Sequence, residues 1–144
     1  MVARIGAAVA AGVLVTAGVA WAAQAGTYKG TTSQRNGAIT LKVSGGKVVH
    51  VTFADGTGRG SGCGQFAAVL PQYPVSFRTH MAIAGNGRFS GSAAPRDLEV
   101  FKISGRVSGR RISGSFTDKI PIGQDTSTPK WCTSGTVTYT ASRP

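Results

Sequence analysis

The stretch WCTSGTVTYTA (residues 131–141) alternates apolar side chains with threonine and serine, which is the pattern of a half-buried β-strand. It contains Cys132, one of only two cysteines in the 144-residue chain, so a disulfide to Cys63 is predicted. Strict alternation places Cys132 on the opposite face from Val137 and Tyr139. Either Cys132 lies just before regular pairing begins, or a bulge at residues 134–135 switches the faces, and we favour the bulge.

Residues 1–25 have the features of an export signal. Arg4 supplies a positive charge, residues 5–20 are an unbroken apolar run, and Ala-Gln-Ala then precedes Gly26 as a cleavage site. The alternative is an uncleaved membrane anchor, since the apolar run is nearly long enough to span a bilayer. We expect cleavage, which leaves residues 26–144 as a single domain without a membrane span. The predicted location is secreted or cell-envelope-associated, a compartment in which one disulfide is typical.

Short strands separated by glycine-containing turns follow the signal. The clearest turn is Gly109-Arg110, a two-residue type II′ turn that pairs Val107 with Ile112 and keeps apolar side chains on one face. A three-residue loop containing the earlier Gly-Gly pair is predicted to place Leu41 opposite Val49.

The loop Gly-Asn-Gly at residues 85–87 is predicted to contain three residues as well and to place Ile83 opposite Phe89. About eight strands and no helix after the signal predict an all-β antiparallel meander, closed as a small β-barrel. The alternative is a β-sandwich. Glycines on the core face favour the strongly curved barrel, and an aliphatic and phenylalanine core predicts a solid interior. These glycines are Gly91, Gly105 and Gly114.

Residues that could support catalysis are few, so we predict that the protein is not an enzyme. His50 and His80 fall on outward faces, and we predict no metal and no cofactor. Glu99 and Asp118 share the core face near one end of the barrel. These two carboxylates are weak catalytic candidates for a hydrolase, although strand ends commonly become polar simply because they reach solvent.

A basic outward face is the stronger functional signal in a chain whose net charge is +11. The predicted registers place four cations among serines on three adjacent strands, and the same face extends to Arg78. A broad positive face attracts polyanions. The absence of interleaved aromatic residues argues against specific nucleic-acid binding. The four cations are Arg88, Lys102, Arg106 and Arg111.

These features predict a monomeric, non-enzymatic binding protein that contacts an anionic cell-envelope polymer. A second hypothesis is a barrel that binds a small ligand at its open end, near Tyr28, Trp131 and Tyr139. The simplest interpretation of the basic face is a solvated surface that keeps the strands soluble and protects their edges.

Several segments of the chain form a recognisable set: GTYKGTTSQ (26–34), VSGGKV (43–48), GRF (87–89), ISG (103–105) and CTSGTV (132–137). Together they resemble a group of small exported all-β proteins from actinobacteria. The resemblance covers nearly the whole mature chain and consists of turns, core positions and the cysteine pair. It implies the all-β fold and transfers no catalytic residue.

Overall fold

The computed structural model of the chain describes residues 23–54, 74–95, 98–122 and 130–144. Within these ranges every regular element is a β-strand, and no helix is long and apolar enough to cross a membrane. The nine strands are β1 (Gly26–Thr32), β2 (Ala38–Ser44), β3 (Lys47–Ala54), β4 (Val75–Ala82), β5 (Arg88–Ala93), β6 (Val100–Ser108), β7 (Arg111–Ile122), β8 (Lys130–Thr133) and β9 (Val137–Ser142).

The strands form one antiparallel sheet that curls into a nearly closed barrel. Its order is β4-β3-β2-β1-β9-β7-β6-β5, with β8 paired to β7 beyond the end of β9. At the seam, Met81 of β4 lies so close to Gly91 of β5 that a Cβ on this glycine would be 2.5 Å from the Met81 sulfur. The amide of Ala84 donates to the carbonyl of Arg88 at 2.8 Å, which closes the turn joining β4 and β5. The all-β barrel predicted from the sequence is confirmed.

The hairpin between β6 and β7 has the predicted register. Val107 lies opposite Ile112 and Ile103 lies opposite Phe116. Gly109 has a φ of 59°, as the first central position of a type II′ turn requires. The turn residues and the apolar pattern both require the same pairing, so the two-residue turn determines the register of the whole β6–β7 hairpin.

The predicted register between β2 and β3 is wrong. Gly45 and Gly46 have φ angles of 55° and 70°, so they form a two-residue turn with both residues left-handed. The additional residue lies within β3, where a bulge after Val48 brings Val51 opposite Leu41. The bulge lets the tight turn and the core pattern coexist, because Val48 and Val51 are both completely buried.

The predicted face switch between β8 and β9 is confirmed. Thr133 pairs with Lys119 and Val137 pairs with Phe116, so the register on β7 shifts by one residue between the two strands. Gly135, with a φ of 65°, lies in this interruption. Cys132 is therefore buried although its parity differs from that of Val137. Cys63 lies outside the described residues, so the disulfide stays a prediction.

The interior is filled by apolar side chains from the strands, and four phenylalanine rings form its largest cluster. Phe101 stacks on Phe53 with ring centroids 4.6 Å apart, and it contacts Phe77 and Phe116 at 5.3 Å each. These rings come from β3, β4, β6 and β7, so the cluster connects edge strand β4 and its neighbour β3 to β6 and β7 through the interior. The predicted solid core is present in the described part of the barrel.

Tyr139 fills the space above a cross-strand glycine pair. A Cβ on Gly105 or Gly114 would lie 2.5 Å or 2.7 Å from its hydroxyl oxygen, and this hydroxyl donates to the carbonyl of Ser104 at 3.1 Å. Burial raises the pKa of Tyr139 well above its usual value near 10. The folded barrel therefore favours the neutral phenol, and this contribution to stability is present below about pH 10 and lost as the pH rises further.

Replacing Tyr139 with phenylalanine is expected to lower the free energy of unfolding by about 1 kcal/mol at pH 7, because one buried hydrogen bond is lost. Above about pH 10 the difference should shrink, since the variant has no phenol to ionise at this position. Urea unfolding at pH 7 and pH 11 measures both effects. A loss that is equal at the two pH values would contradict the buried position of the hydroxyl.

Candidate anion-binding face

The outward side chains of β5, β6 and β7 form a surface of cations and hydroxyl groups, which we name the basic serine face. Cross-strand pairing sets its rows: Arg88 lies opposite Arg106, and Ser104 lies between Ser90 and Ser115. Its members are Arg88, Ser90, Ser92, Lys102, Ser104, Arg106, Ser108, Arg111, Ser113, Ser115 and Thr117. The sequence prediction that Arg88, Lys102, Arg106 and Arg111 share one outward face is confirmed by these registers.

Alternation along β6 explains why this face forms. Phe101, Ile103 and Val107 point into the core and are buried, so Lys102 and Arg106 must point outward. The tight turn at residues 109–110 then fixes which residues of β7 lie beside them. Core packing thus fixes the positions of the outward side chains without constraining their chemical type.

Arg88 and Arg106 form the most unusual pair on the face. Directly opposite side chains have Cβ atoms about 5 Å apart, and like charges on directly opposite residues destabilise a sheet. Both arginines are exposed, and they line a concave region of about 660 Å³ together with Ser90, Ser104 and Ser113. Guanidinium groups bind phosphate and carboxylate oxygens through paired hydrogen bonds, and serine hydroxyls can donate to the same oxygens. An anion bound here would neutralise the repulsion between the arginines.

A second concave region of about 440 Å³ adjoins the first. Lys102 lines it with Ser92, Ser115 and Thr117, and the two regions share Ser90 and Ser104. Cationic and hydroxyl groups therefore continue across three strands that are about 4.8 Å apart. Such a continuous strip suits an extended polyanion better than a single small ion.

Acidic side chains do not balance this charge in the described part of the chain. Its only acidic residues, Glu99 and Asp118, are 1% and 2% exposed. All but one of its lysines and arginines are exposed, and Arg143 is half-buried. The exposed ones are Lys29, Arg35, Lys42, Lys47, Arg78, Arg88, Lys102, Arg106, Arg110, Arg111, Lys119 and Lys130. The net charge alone could not reveal this, because burial of both carboxylates is a tertiary effect.

Arg78 lies on the outward face of β4, across the barrel seam from β5. It pairs with His50, which in turn lies opposite Lys42 on β2. The Nε2 atom of His50 is 3.0 Å from the hydroxyl oxygen of Ser76. Arg78 thus belongs to a second outward row, near the basic serine face but not on its strands.

The two carboxylate candidates lie inside the barrel. Asp118 is opposite Phe101, and Glu99 lies two residues before Phe101 on the same core face, as predicted. The backbone of Asp118 is fixed by Ser134, whose hydroxyl accepts from its amide and whose amide donates to its carbonyl, both at 2.9 Å. A general acid or base must reach its substrate. Burial removes both carboxyl groups from solvent in the described structure.

The three aromatic residues of the small-ligand hypothesis do not lie together at the open end of the barrel. Tyr28 and Tyr139 are 0% and 3% exposed, whereas Trp131 is 40% exposed on the outer surface of β8. The face switch at residues 134–136 turns Trp131 outward. These three side chains therefore do not line a common opening.

No group of three or more histidine, cysteine, aspartate or glutamate side chains lies together within the ranges that the structure describes. In comparisons with known proteins, the chain matches no family model, no curated protein and no solved structure. The resemblance to actinobacterial exported proteins stays a prediction.

Proposed function

We propose that the protein is an exported, non-enzymatic binding protein whose basic serine face holds anionic polymers of the cell envelope. The arginine pair in the larger concave region carries this proposal, because Arg88 and Arg106 are placed opposite each other without an exposed acidic side chain in the described surface. Selection for stability alone would not favour this pair. In the presence of a polyanion, the two arginine charges attract it and so contribute to binding affinity.

The chemistry of the face favours a polymer rich in phosphate or carboxylate groups. Each contact between a cation and the polymer releases counterions, so affinity should depend steeply on salt. Hydroxyl groups between the cations can donate to the remaining anionic oxygens. Bases of single-stranded nucleic acid would need aromatic side chains for stacking, and the basic serine face contains none.

Further parts of the proposal concern where the protein acts. Cleavage before Gly26 would release a monomeric barrel into the envelope or the medium. A disulfide between Cys63 and Cys132 would join β8 to the middle of the chain. In an oxidising compartment this disulfide would stabilise the barrel by about 4 kcal/mol in the chain-entropy model.

Changing Arg88, Lys102, Arg106 and Arg111 together to glutamine is expected to lower affinity for linear polyphosphate at least about 100-fold at low salt. The slope of log K against log salt should become less steep by up to about 3.6, if each lost cation contributes about 0.9 as on duplex DNA. Retention on isolated cell envelope should fall in parallel. Titration of polyphosphate across a salt series, together with envelope sedimentation, measures both quantities.

The matched control removes the same charge from β1, β2, β3 and their turns. Changing Lys29, Arg35, Lys42 and Lys47 to glutamine should leave most of the affinity and slope intact. If both variants lost the same affinity and the same salt dependence, binding would depend on the overall positive charge and not on the basic serine face. This result would contradict the proposal. Polyphosphate should also raise the melting temperature of the native protein more than that of the four-residue face variant.

A further inference from the structure

Three large apolar side chains are exposed in the described residues, and all of them lie at one end of the barrel. Leu98, Val100 and Trp131 are 61%, 36% and 40% exposed. Val100 lies opposite Lys119 on β7, and Trp131 of β8 lies opposite Pro121, two residues further along the same face of β7. We name Leu98, Val100, Pro121 and Trp131 the apolar patch.

The apolar patch contains a strained residue. Leu98 has a φ of 60°, a left-handed conformation that is rare for a bulky residue. The side chain that this backbone presents is also the most exposed of the three. Strained backbone is retained chiefly at functional sites, and clustered exposed apolar groups mark interaction surfaces. Stability of the barrel alone explains neither feature.

Positive charges surround the apolar patch. Lys119 lies between Val100 and Thr133 in the same row, and Lys102 follows Val100 on the outer face of β6. Lys130 lies at the same end of the barrel, next to Trp131 but on the opposite face of β8. All three lysines are exposed. Tryptophan favours the boundary between headgroups and acyl chains, and lysines are attracted to anionic headgroups. The combination fits a negatively charged lipid surface.

We propose that the apolar patch docks the barrel on an anionic lipid bilayer, with Leu98 and Trp131 entering the headgroup boundary and the lysines contacting lipid phosphates. The lipid contact shares only Lys102 with the proposed polymer site and otherwise uses different residues. Val100 begins β6, whereas Arg106 lies near its other end, close to the turn at residues 109–110. A bilayer under the apolar patch would leave the arginine pair accessible to a polymer.

The N-terminal side of the barrel lies at the end opposite the apolar patch. Gly26 pairs with Val43 beside the turn from β2 to β3, and Lys29 lies in the row of Ser142 and Arg111. Any attachment through residues before Ala23 would therefore hold the other end of the barrel near a membrane. The position of Trp131 relative to lipid separates the two modes of attachment.

The test uses the full chain with Trp21 changed to phenylalanine, so that Trp131 is its only tryptophan. It is mixed with vesicles of phosphatidylcholine alone or with phosphatidylglycerol, and with acyl chains brominated to quench nearby tryptophan. We expect a blue shift and quenching of Trp131 with the anionic vesicles. Leu98→Asn should fold at least as well, since asparagine tolerates the left-handed region, yet the partition of Trp131 into the anionic bilayer should fall about tenfold.

Charge variants complete the test. Lys119→Gln with Lys130→Gln should lower the partition measured by Trp131 quenching about 25-fold, or about fivefold for each lysine. Arg88→Gln with Arg106→Gln removes equal charge and should lower it less. Vesicle binding without quenching of Trp131, equal effects of the two pairs, or equal quenching by neutral vesicles would each overturn the proposal. Polyphosphate binding is measured without lipid, so failure here leaves the proposed function separately testable.

Discussion

Replacing Gly30 with alanine is expected to remove a large part of the folding free energy of the barrel. Gly30 of β1 pairs with Ala141 of β9, and a Cβ at this position would lie 1.8 Å from the carbonyl oxygen of Thr140 and 2.5 Å from the Cα of Ala141. Backbone atoms cannot move aside by changing rotamer, so the two strands would have to separate. We expect a loss of about 4 kcal/mol or more, against a total of about 5–15 kcal/mol for an ordinary domain.

The matched control is Gly85→Ala in the turn between β4 and β5. Nothing lies within 4 Å of the position that its Cβ would occupy, and its backbone does not require a left-handed conformation. Its stability should change by less than about 1 kcal/mol. Guanidinium unfolding of both variants measures the difference. Similar midpoints for the two would contradict the close approach of β1 and β9.

The requirement for Gly30 could not be predicted from the sequence. The pairing of β1 with β9 joins residues more than a hundred positions apart, and no local turn fixes its register. Gly105 and Gly114, by contrast, lie opposite each other because the tight turn between β6 and β7 determines every pair in that hairpin. Sequence patterns predict the register where a short turn joins two strands. They do not predict it where the paired strands are far apart in the sequence.

The candidate site was likewise predictable only where a short turn joins its strands. The rows of the basic serine face on β6 and β7 follow from the predicted turn, which brings Ser104 opposite Ser115. Outward placement of Trp131 depends on the face switch before β9, and the left-handed backbone of Leu98 has no local signal. The predicted register between β2 and β3 is wrong because a glycine pair is compatible with both a two-residue and a three-residue loop.

Along β6 the outward side chains change from basic to apolar. Arg106, Ser104, Lys102 and Val100 follow one another at alternate positions toward the end that carries Leu98. The buried positions of the strand pack the core, and the outward positions are free of that requirement. Their composition is therefore open to selection by surface contacts, and β6 carries residues of both the proposed polymer site and the proposed lipid contact.

Replacing Phe101 with alanine is expected to lower the free energy of unfolding by about 3–5 kcal/mol. Its ring is 0% exposed and contacts the rings of Phe53, Phe77 and Phe116, so its removal leaves a cavity among aromatic groups. Phe77→Ala should cost less, because Phe77 is only half-buried. Urea unfolding of both variants and of Phe101→Leu, a smaller truncation at the same site, compares these losses in unfolding free energy. Equal losses at positions 77 and 101 would contradict the central place of Phe101.

Phe101→Ala also tests whether the native interior is already filled. An apolar cavity lined by phenylalanine rings stays dry and can bind a small apolar molecule such as benzene. Phe101→Ala should therefore regain part of its lost stability when saturated with benzene, whereas the native protein and Phe77→Ala should regain little. Stabilisation of the native protein by benzene would instead show that its interior already admits small ligands, which would favour the ligand-binding hypothesis. Because four packed rings occupy this space in the native barrel, we expect recognition to take place on its outer surface.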